Sequence, residues 1–146
     1  MKLVVDSSAL AKRYVHEVGS DELGAFLEHA SALALCVISV PEIVSGLNRL
    51  LREHTLSVMG YRKAKGQLMD DVRDAIILQI TPAVVSRSVQ VLENNILRAM
   101  DALHIACALE WDSDLFVTAD KRQFDAAKNE GLKAEYIGNS YTRGNN

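Results

Sequence analysis

Four acidic residues stand where an α/β protein would bring carboxylates together. Asp6 closes an apolar run at the start of the chain, and Glu42 lies in the first turn of the helix that follows the second apolar run. Asp101 stands at the start of an alanine-rich helix, and Asp120 follows a later apolar run. Carboxylates held a few ångströms apart repel one another, and a cation that prefers oxygen ligands, such as Mg²⁺ or Mn²⁺, removes that penalty. The set therefore predicts metal-assisted hydrolysis, in which the cation deprotonates a bound water and polarises a phosphoryl oxygen.

The elements that must position these acids alternate along the chain. Short apolar runs at 2–6, 33–38, 75–80, 114–118 and 133–137 predict strands, and the segments between them have the helical period. This alternation predicts an α/β fold, a three-layer sandwich with a central, mostly parallel sheet of about five strands. Ligands of such sheets bind beyond the carboxyl ends of the strands, at a topological switch point. Three of the acids fall there, whereas Asp101 lies on a helix with no strand directly before it.

Each acid also has a structural explanation. Acidic residues cap helices and favour the positive end of the helix dipole. Ser39-x-x-Glu42 has the form of a capping box, and Asp101 and Asp120 could be N-caps. The serines after Asp6 predict a helix capped by a serine. Only the joint occurrence of the four acids at one end of the predicted sheet favours a functional site.

Length and composition limit the class of protein. The 146 residues predict one domain, 1–137, followed by a polar, Gly/Asn-rich tail, 138–146, that we expect to be flexible. A formal net charge of −3 argues against binding of nucleic acid by bulk charge, so any such contact needs local basic patches. The two cysteines lie in apolar runs and are interpreted as small buried hydrophobes. With neither a signal peptide nor a membrane span expected, we expect a cytoplasmic protein.

Three segments resemble the motifs of PIN-domain proteins, above all the VapC-like toxins of type II toxin–antitoxin pairs. They are DSSALxKRY from Asp6, MDALHxA from Met100 and FVTADKR from Phe116. Glu42, after a strand and a Ser-x-Pro turn, falls where that family has its second acid. The resemblance extends from Leu3 to about Tyr136. One departure is Ser8, which stands where many PIN domains have Asn or Thr.

The resemblance implies an activity and its partners. It implies a Mg²⁺- or Mn²⁺-dependent endoribonuclease that is inhibited by a VapB-like antitoxin and forms a homodimer. Asp6, Glu42 and Asp101 would hold the first metal, and Asp120 would complete the site directly or through water. The supporting polar groups would be Ser7 and Thr118.

Two further sets of residues have open roles. The basic residues that flank the acids in sequence could contact RNA phosphates or could be solvated surface charge: Lys12, Arg13, Arg98, Lys121 and Arg122. His104 lies three residues after Asp101, on the same helical face. We interpret it as a structural histidine beside the site rather than as a general base.

Rival functions remain on sequence alone. A PIN nuclease that acts in RNA processing without an antitoxin has the same motifs. A non-catalytic PIN scaffold is a further alternative, but such proteins tend to lose acids, and here all four are present. A receiver domain also binds Mg²⁺ through acids, but it would need an acidic pair after the first strand. Here Asp6 is followed by Ser7 and Ser8, which excludes that class.

Overall fold

Five parallel strands form one sheet in the computed structural model, which describes residues 1–138. The strands are β1 (Lys2–Val5), β2 (Ala32–Cys36), β3 (Ile76–Leu78), β4 (Leu115–Thr118) and β5 (Ala134–Tyr136). Their order in the sheet is β3-β2-β1-β4-β5, and all four pairings are parallel. The predicted fold class is confirmed. The chain moves outward from β1 in both directions, so the switch point lies between β1 and β4.

Seven α-helices connect and cover these strands within the described residues. They are α1 (Ser7–Leu10, continued by a 3₁₀ turn at Ala11–Arg13), α2 (Ser20–His29), α3 (Ser39–Arg52), α4 (Val58–Asp74), α5 (Pro82–Asn94), α6 (Ala99–Trp111) and α7 (Lys121–Asn129).

Side chains of each central strand alternate between two apolar layers, as the pleat requires. On β1, Leu3 and Val5 pack with the buried face of α1 to α4, whereas Val4 packs with α5, α6 and α7. Both layers are closely covered, because these three side chains are fully buried. The two layers of helices therefore hold the sheet between them and leave the carboxyl ends of the strands at one edge.

Capping residues set several helix ends, and the starts of two helices, α1 and α6, differ from what the sequence predicts. The cap of α1 is Asp6, whose carboxylate accepts from the Ala9 N–H, so the predicted serine cap is wrong. Helix α6 begins at Ala99, three residues before the predicted start, and Asp101 therefore lies in its first turn instead of capping it. Gly131 ends α7 with a φ of +89°, a value that glycine adopts without strain.

Three expectations concern the rest of the chain. Cys36 and Cys107 are buried free thiols whose Sγ atoms lie 3.5 Å apart, in line with the interpretation as small buried groups. Among the helices at 1–138, none combines the length and apolar character needed to cross a membrane. The predicted tail falls, apart from Gly138, outside the described residues.

Candidate active site

Asp6 is held rigidly where β1 and β4 end. Its Oδ1 atom accepts hydrogen bonds from the Ser8 hydroxyl at 2.8 Å and the Ala9 N–H at 2.9 Å. Its Oδ2 atom accepts from the Thr118 hydroxyl at 2.5 Å, across the switch point. Burial raises the pKa of Asp6, although the charge of His104 and these hydrogen bonds oppose the rise. Oδ2 keeps one lone pair that no described residue uses.

Asp120 caps α7 at the end of the neighbouring strand. Its Oδ1 atom accepts from the backbone N–H groups of Arg122 at 2.9 Å and Gln123 at 3.3 Å. Its own N–H donates to the Thr118 hydroxyl at 3.0 Å, so Thr118 links Asp6 and Asp120 through one side chain. Asp120 thus has the structural role of an N-cap, which leaves its second carboxylate oxygen free within residues 1–138.

Glu42 points toward the site instead of back to its own helix. Its Oε1 atom accepts from the Ser7 hydroxyl at 2.7 Å and lies 2.6 Å from Nε2 of His104. The predicted capping box does not form: Ser39 Oγ is buried and has no hydrogen-bond partner among residues 1–138. Burial alone would raise the pKa of Glu42, but the hydrogen bonds from His104 and Ser7 hold it below its ordinary value.

His104 is fully buried beside Glu42 on α6. Burial opposes its protonation, yet the hydrogen bond to Glu42 and the charge of Asp6 raise its pKa above the ordinary value. A protonated His104 donates from Nε2 to Glu42 and so fixes the direction of that carboxylate. This contact agrees with a structural histidine beside the site. Its Nδ1 has no hydrogen-bond partner in the described part of the chain.

Asp101 is the acid with the fewest partners. No described residue donates a hydrogen bond to its carboxylate, although its backbone carbonyl accepts from the Gln123 side chain at 3.3 Å. Burial raises the pKa of Asp101, and the carboxylates of Asp120, Asp6 and Glu42 raise it further against the charge of His104. The fold therefore brings all four acids within electrostatic range, including the one that no strand precedes.

The donor set suits a hard divalent cation, because it consists of carboxylate oxygens with unused lone pairs on Asp6, Asp101 and Asp120. As they stand, no three His, Cys, Asp or Glu side chains of residues 1–138 are arranged to hold a metal ion. Part of the reason is that Glu42 lies against Ser7 and His104. A cation bound by all four acids would require their side chains to rotate toward it.

The five predicted RNA-contacting cations fall into two groups. Lys12 pairs with Glu17, Arg13 with Asp71 and Lys121 with Asp125. The other two, Arg98 and Arg122, have no ion-pair partner among residues 1–138. These two are the ones that the structure leaves free to meet an anion.

Two recesses are lined by residues of the site or by their neighbours in sequence. The first, the α3 groove, has a volume of about 870 Å³ and is lined by Ser7, Glu42, Leu47, Arg49, Arg98 and Met100 among others. The second, the α7 cleft, has about 590 Å³ and is lined by Asn94, Asn95, Ile96, Arg122, Asp125 and Asn129 among others. Arg98 therefore lines the recess that includes Glu42, and Arg122 lines a different recess.

Two residues that hold the site were missed by sequence reasoning. Ser8, noted only as a departure from the family, donates to Asp6 and accepts from the Ala119 N–H at 3.1 Å, so it joins the two strand ends. Gln123 is buried and joins α7 to the start of α6. Its position on a helix with alternating polar and apolar residues gave no signal of this contact.

Comparison with known structures shows the same fold in several bacterial proteins. The crystal structure of FitAcB from Neisseria gonorrhoeae matches with a TM-score of 0.67 and 15% identity, covering 95% of this chain and 98% of that one. VapC20 of Mycobacterium tuberculosis, described as a sarcin–ricin loop cleaving toxin, matches with a TM-score of 0.68 and 13% identity, covering 89% of this chain and 95% of that one. DNA-bound VapBC from Salmonella typhimurium matches with a TM-score of 0.68 and 13% identity, covering 94% of this chain and 98% of that one.

Sequence comparison gives the family. A search of curated proteins found no match. The model of the PIN domain matches residues 3–129, which is most of the chain and includes all four acids. The resemblance read from the three motifs is thereby confirmed, and this chain belongs to the PIN-domain family.

Proposed function

We propose that this protein is a cytoplasmic, Mg²⁺- or Mn²⁺-dependent endoribonuclease and the toxin of a type II toxin–antitoxin pair. The observation that carries the proposal is the surroundings of Asp101. Three further carboxylates raise its pKa, and no described residue donates a hydrogen bond to it. Membership of a family of nucleases and the likeness to VapC20, named for cleaving the sarcin–ricin loop, support RNA as the substrate.

The roles of the side chains follow from their contacts. Asp6, Glu42, Asp101 and Asp120 would hold the cation, which when bound supplies Lewis acidity toward the phosphoryl oxygen and an acidified water. Thr118 and Ser8 fix the orientation of Asp6. Ser7 and His104 fix that of Glu42. The contacts of Asp6 keep it at the strand ends, whereas Glu42 would have to turn away from Ser7 and His104 to reach a cation.

The free arginines would position the substrate. Arg98 lines the α3 groove together with Glu42, and Arg122 lines the α7 cleft two residues after Asp120, so each free arginine has a member of the acid cluster close to it in the recess or in the chain. Cations that contact phosphates fix the register of a nucleic acid without reading its sequence. This arrangement explains how a chain with a net charge of −3 can hold RNA, because the positive charge is local to the two recesses.

An antitoxin and a homodimer are part of the proposal. Several structural neighbours are toxin–antitoxin complexes, among them one from Klebsiella pneumoniae. The α3 groove suits such a partner, because it combines apolar Met100, which is 48% exposed, with cationic Arg49 and opens onto Glu42. For the dimer, the supporting feature is a stripe on α5, where Val85 and Val89 are each 48% exposed and Leu92 is 37% exposed.

A cleavage assay tests the activity. Wild type, Asp6→Asn and the control Asp70→Asn are incubated with total cellular RNA in Mg²⁺ or Mn²⁺, with and without chelator. Asp70 is a suitable control because it is an acid on α4 whose side chain is 70% exposed. We expect discrete cleavage by wild type and control, no cleavage by Asp6→Asn, and none with chelator.

Thermal unfolding measures the cation separately from cleavage. A ligand at ten times its Kd stabilises the folded state by about 1.4 kcal/mol, which would raise Tm by roughly 3–6 °C. We expect that rise in wild type and little rise in Asp6→Asn. A preparation that mass spectrometry shows to be one chain, that cuts no RNA and that gains no stability from either cation would contradict the proposal and favour a non-catalytic scaffold.

A further inference from the structure

The α7 cleft has the chemistry of a nucleobase site, whereas the proposed function uses only its Arg122. It lies between the loop that joins α5 to α6 and the outer face of α7. Its volume of about 590 Å³ is in the range of sites that bind small ligands. None of the four acids lines the cleft, but Arg122, two residues after Asp120, does. The cleft is therefore a separate recess beside the site.

The cleft is connected to the acids through one turn of helix. Arg122 lines the cleft with its side chain, while its backbone N–H donates to the Asp120 carboxylate at 2.9 Å. The next residue, Gln123, reaches the backbone of Asp101 at 3.3 Å. A nucleotide whose phosphate lies at Arg122 is therefore next to the acids, and its base can enter the cleft.

Hydrogen bonds hold part of the polar wall of the cleft in place, and several acceptor oxygens of that wall receive no hydrogen bond from residues 1–138. The Asn95 amide is fixed by bonds to the Val91 carbonyl at 2.9 Å and from Asn129 at 2.9 Å. The side-chain oxygens of Asn94 and Asn129 receive no hydrogen bond from residues 1–138, and Asp125 has a carboxylate oxygen beyond the one bound by Lys121. Unused acceptors on the wall favour a ligand edge that carries donors.

The apolar lining of the cleft consists of Ile96 and the small, buried Ala126. Ile96 is 90% exposed, which is unusual for a large aliphatic side chain beside amide groups. Asn95 has an extended backbone that ends α5, so Ile96 lies beyond the helix that carries the exposed valines. Proteins bind unstacked bases of single-stranded RNA by a contact to the face of the ring, commonly an aromatic or arginine plane, and by hydrogen bonds to its edge. Here Ile96 offers an aliphatic contact for the face, and the amide groups offer hydrogen bonds for the edge.

We propose that the α7 cleft binds one base of the RNA strand next to the bond that is cut, and that it favours a base with an exocyclic amino group. This inference rests on the proposed function and adds a specificity site to it. Adenine, cytosine and guanine present an amino group to the free oxygens of Asn94 and Asn129. Uracil presents only a ring N–H, and its carbonyls would face those same oxygens. The phosphate of this nucleotide lies at Arg122.

The test is the base preference at the cut. Wild type is incubated with a single-stranded RNA library of random sequence and the cut ends are sequenced, alongside Asn94→Ala and Ile96→Ala. Asn94 makes only one long side-chain bond, 3.5 Å to Glu130, and Ile96 is exposed, so both variants should fold. Gln90→Ala and Met59→Ala are matched controls, since Gln90 is exposed on α5 and Met59 is 82% exposed on α4.

We expect wild type to disfavour uracil at one fixed position beside the cut. Asn94→Ala should weaken that preference by roughly tenfold, the effect of losing one good contact to a base edge. Ile96→Ala should raise KM for all sequences and leave kcat unchanged, because the apolar contact stabilises the bound substrate and the transition state equally. Both controls should behave as wild type.

Three outcomes would overturn the inference. If wild type cuts RNA and both cleft variants keep its base preference and KM, the cleft is not a base site and the proposed function stands. If Ile96→Ala converts a dimer to a monomer by light scattering and leaves the preference unchanged, the cleft is a protein interface. If wild type, shown to be one chain, cuts no RNA, the proposed function fails and this inference fails with it.

Discussion

Asp71 and Asp101 are acids in opposite electrostatic surroundings. The Asp71 carboxylate receives two hydrogen bonds from the Arg13 guanidinium, at 2.6 and 3.1 Å, and a third from the Tyr14 hydroxyl at 2.7 Å. These contacts join α4 to the turn after α1. Asp101 receives none within residues 1–138, and its charged neighbours are three other carboxylates and His104.

The difference separates an acid that the chain itself neutralises from an acid that the chain leaves among like charges. A carboxylate that the chain itself neutralises contributes to stability, because its partners lose their hydration in exchange for strong bonds. A cluster that the chain leaves under-neutralised costs stability, and such clusters are typical of functional sites. The predictions below test that contrast by changing one acid of each kind.

The largest expected effect is on activity in Asp101→Asn. Asn keeps the shape of the side chain and removes the charge that a cation needs, so RNA cleavage should fall on the order of 10³-fold or more, the loss of several kcal/mol of transition-state stabilisation. The free energy of unfolding should stay the same or rise, because repulsion from Asp120, Asp6 and Glu42 is removed.

Initial rates on one defined RNA, together with urea unfolding, measure both quantities. A variant that loses stability and activity in parallel would show that Asp101 is structural. That outcome would remove the contrast with Asp71.

Asp71→Ala should have the reverse effect. It removes three hydrogen bonds from a carboxylate that is only 19% exposed, so the free energy of unfolding should fall by about 1–3 kcal/mol. The loss should lie toward the low end, since the Arg13 side chain is 46% exposed and water replaces part of the interaction. At a temperature where the variant is folded, kcat on RNA should match wild type.

Asp70→Ala is the matched control for that change. Asp70 is the adjacent acid on the same helix and pairs with Arg73, but both side chains are largely exposed. Its loss should change stability by less than about 0.5 kcal/mol. Equal losses in the two variants would mean that helix propensity, and not the bonds to Arg13 and Tyr14, sets the effect.

Sequence patterns predicted those features of the fold that depend on the spacing of apolar residues along the chain. Apolar runs and helical spacing are set by neighbours in the chain, and they gave the five strands, the parallel sheet and the approximate position of each helix. Capping rules are local too, and the positive φ of Gly131 after α7 is the conformation that glycine commonly has at a helix end. The placement of Asp6 and Asp120 followed from the strand ends alone, since the sheet order brings those ends together.

Contacts between distant residues could not be predicted in this way. Glu42 fits a local capping box with Ser39, yet it bonds Ser7, 35 positions away, and His104, 62 positions away. Asp71, interpreted from sequence as a solvated acid on a polar helix, bonds a residue 58 positions earlier. Such pairs depend on the packing of helices against the sheet, which periodicity does not specify.

Proximity in sequence was also a poor guide to which cations are free. Lys12 and Arg13 follow Asp6 closely and were predicted to contact RNA together with Arg98 and Arg122. In the structure the first two have carboxylate partners and the last two have none within the described residues. A role in RNA binding stays a prediction for all of these cations, and variants of the unpaired Arg98 and Arg122 would test it first.

The smallest expected effect is the pH dependence that Asp71 confers through Tyr14. Burial raises the pKa of Tyr14 well above its ordinary value of 10.0, and the hydrogen bond to the Asp71 carboxylate raises it further. The folded state therefore keeps this proton at pH values where the unfolded chain loses it. The stability from protonated Tyr14 is fully present below about pH 10 and falls as pH rises from there toward the folded-state pKa.

Urea unfolding at pH 9 and pH 11 measures that fall, and Tyr14→Phe isolates it. Phe fills the same space without the hydroxyl, so the loss of stability between the two pH values should be smaller in the variant, with a difference on the order of 1 kcal/mol. The Asp101→Asn variant should lose as much as wild type over this range, because Tyr14 and Asp71 are untouched. If Tyr14→Phe shows the same fall as wild type, the Tyr14 hydroxyl is not held by Asp71 in solution. The contrast would then rest on Arg13 alone.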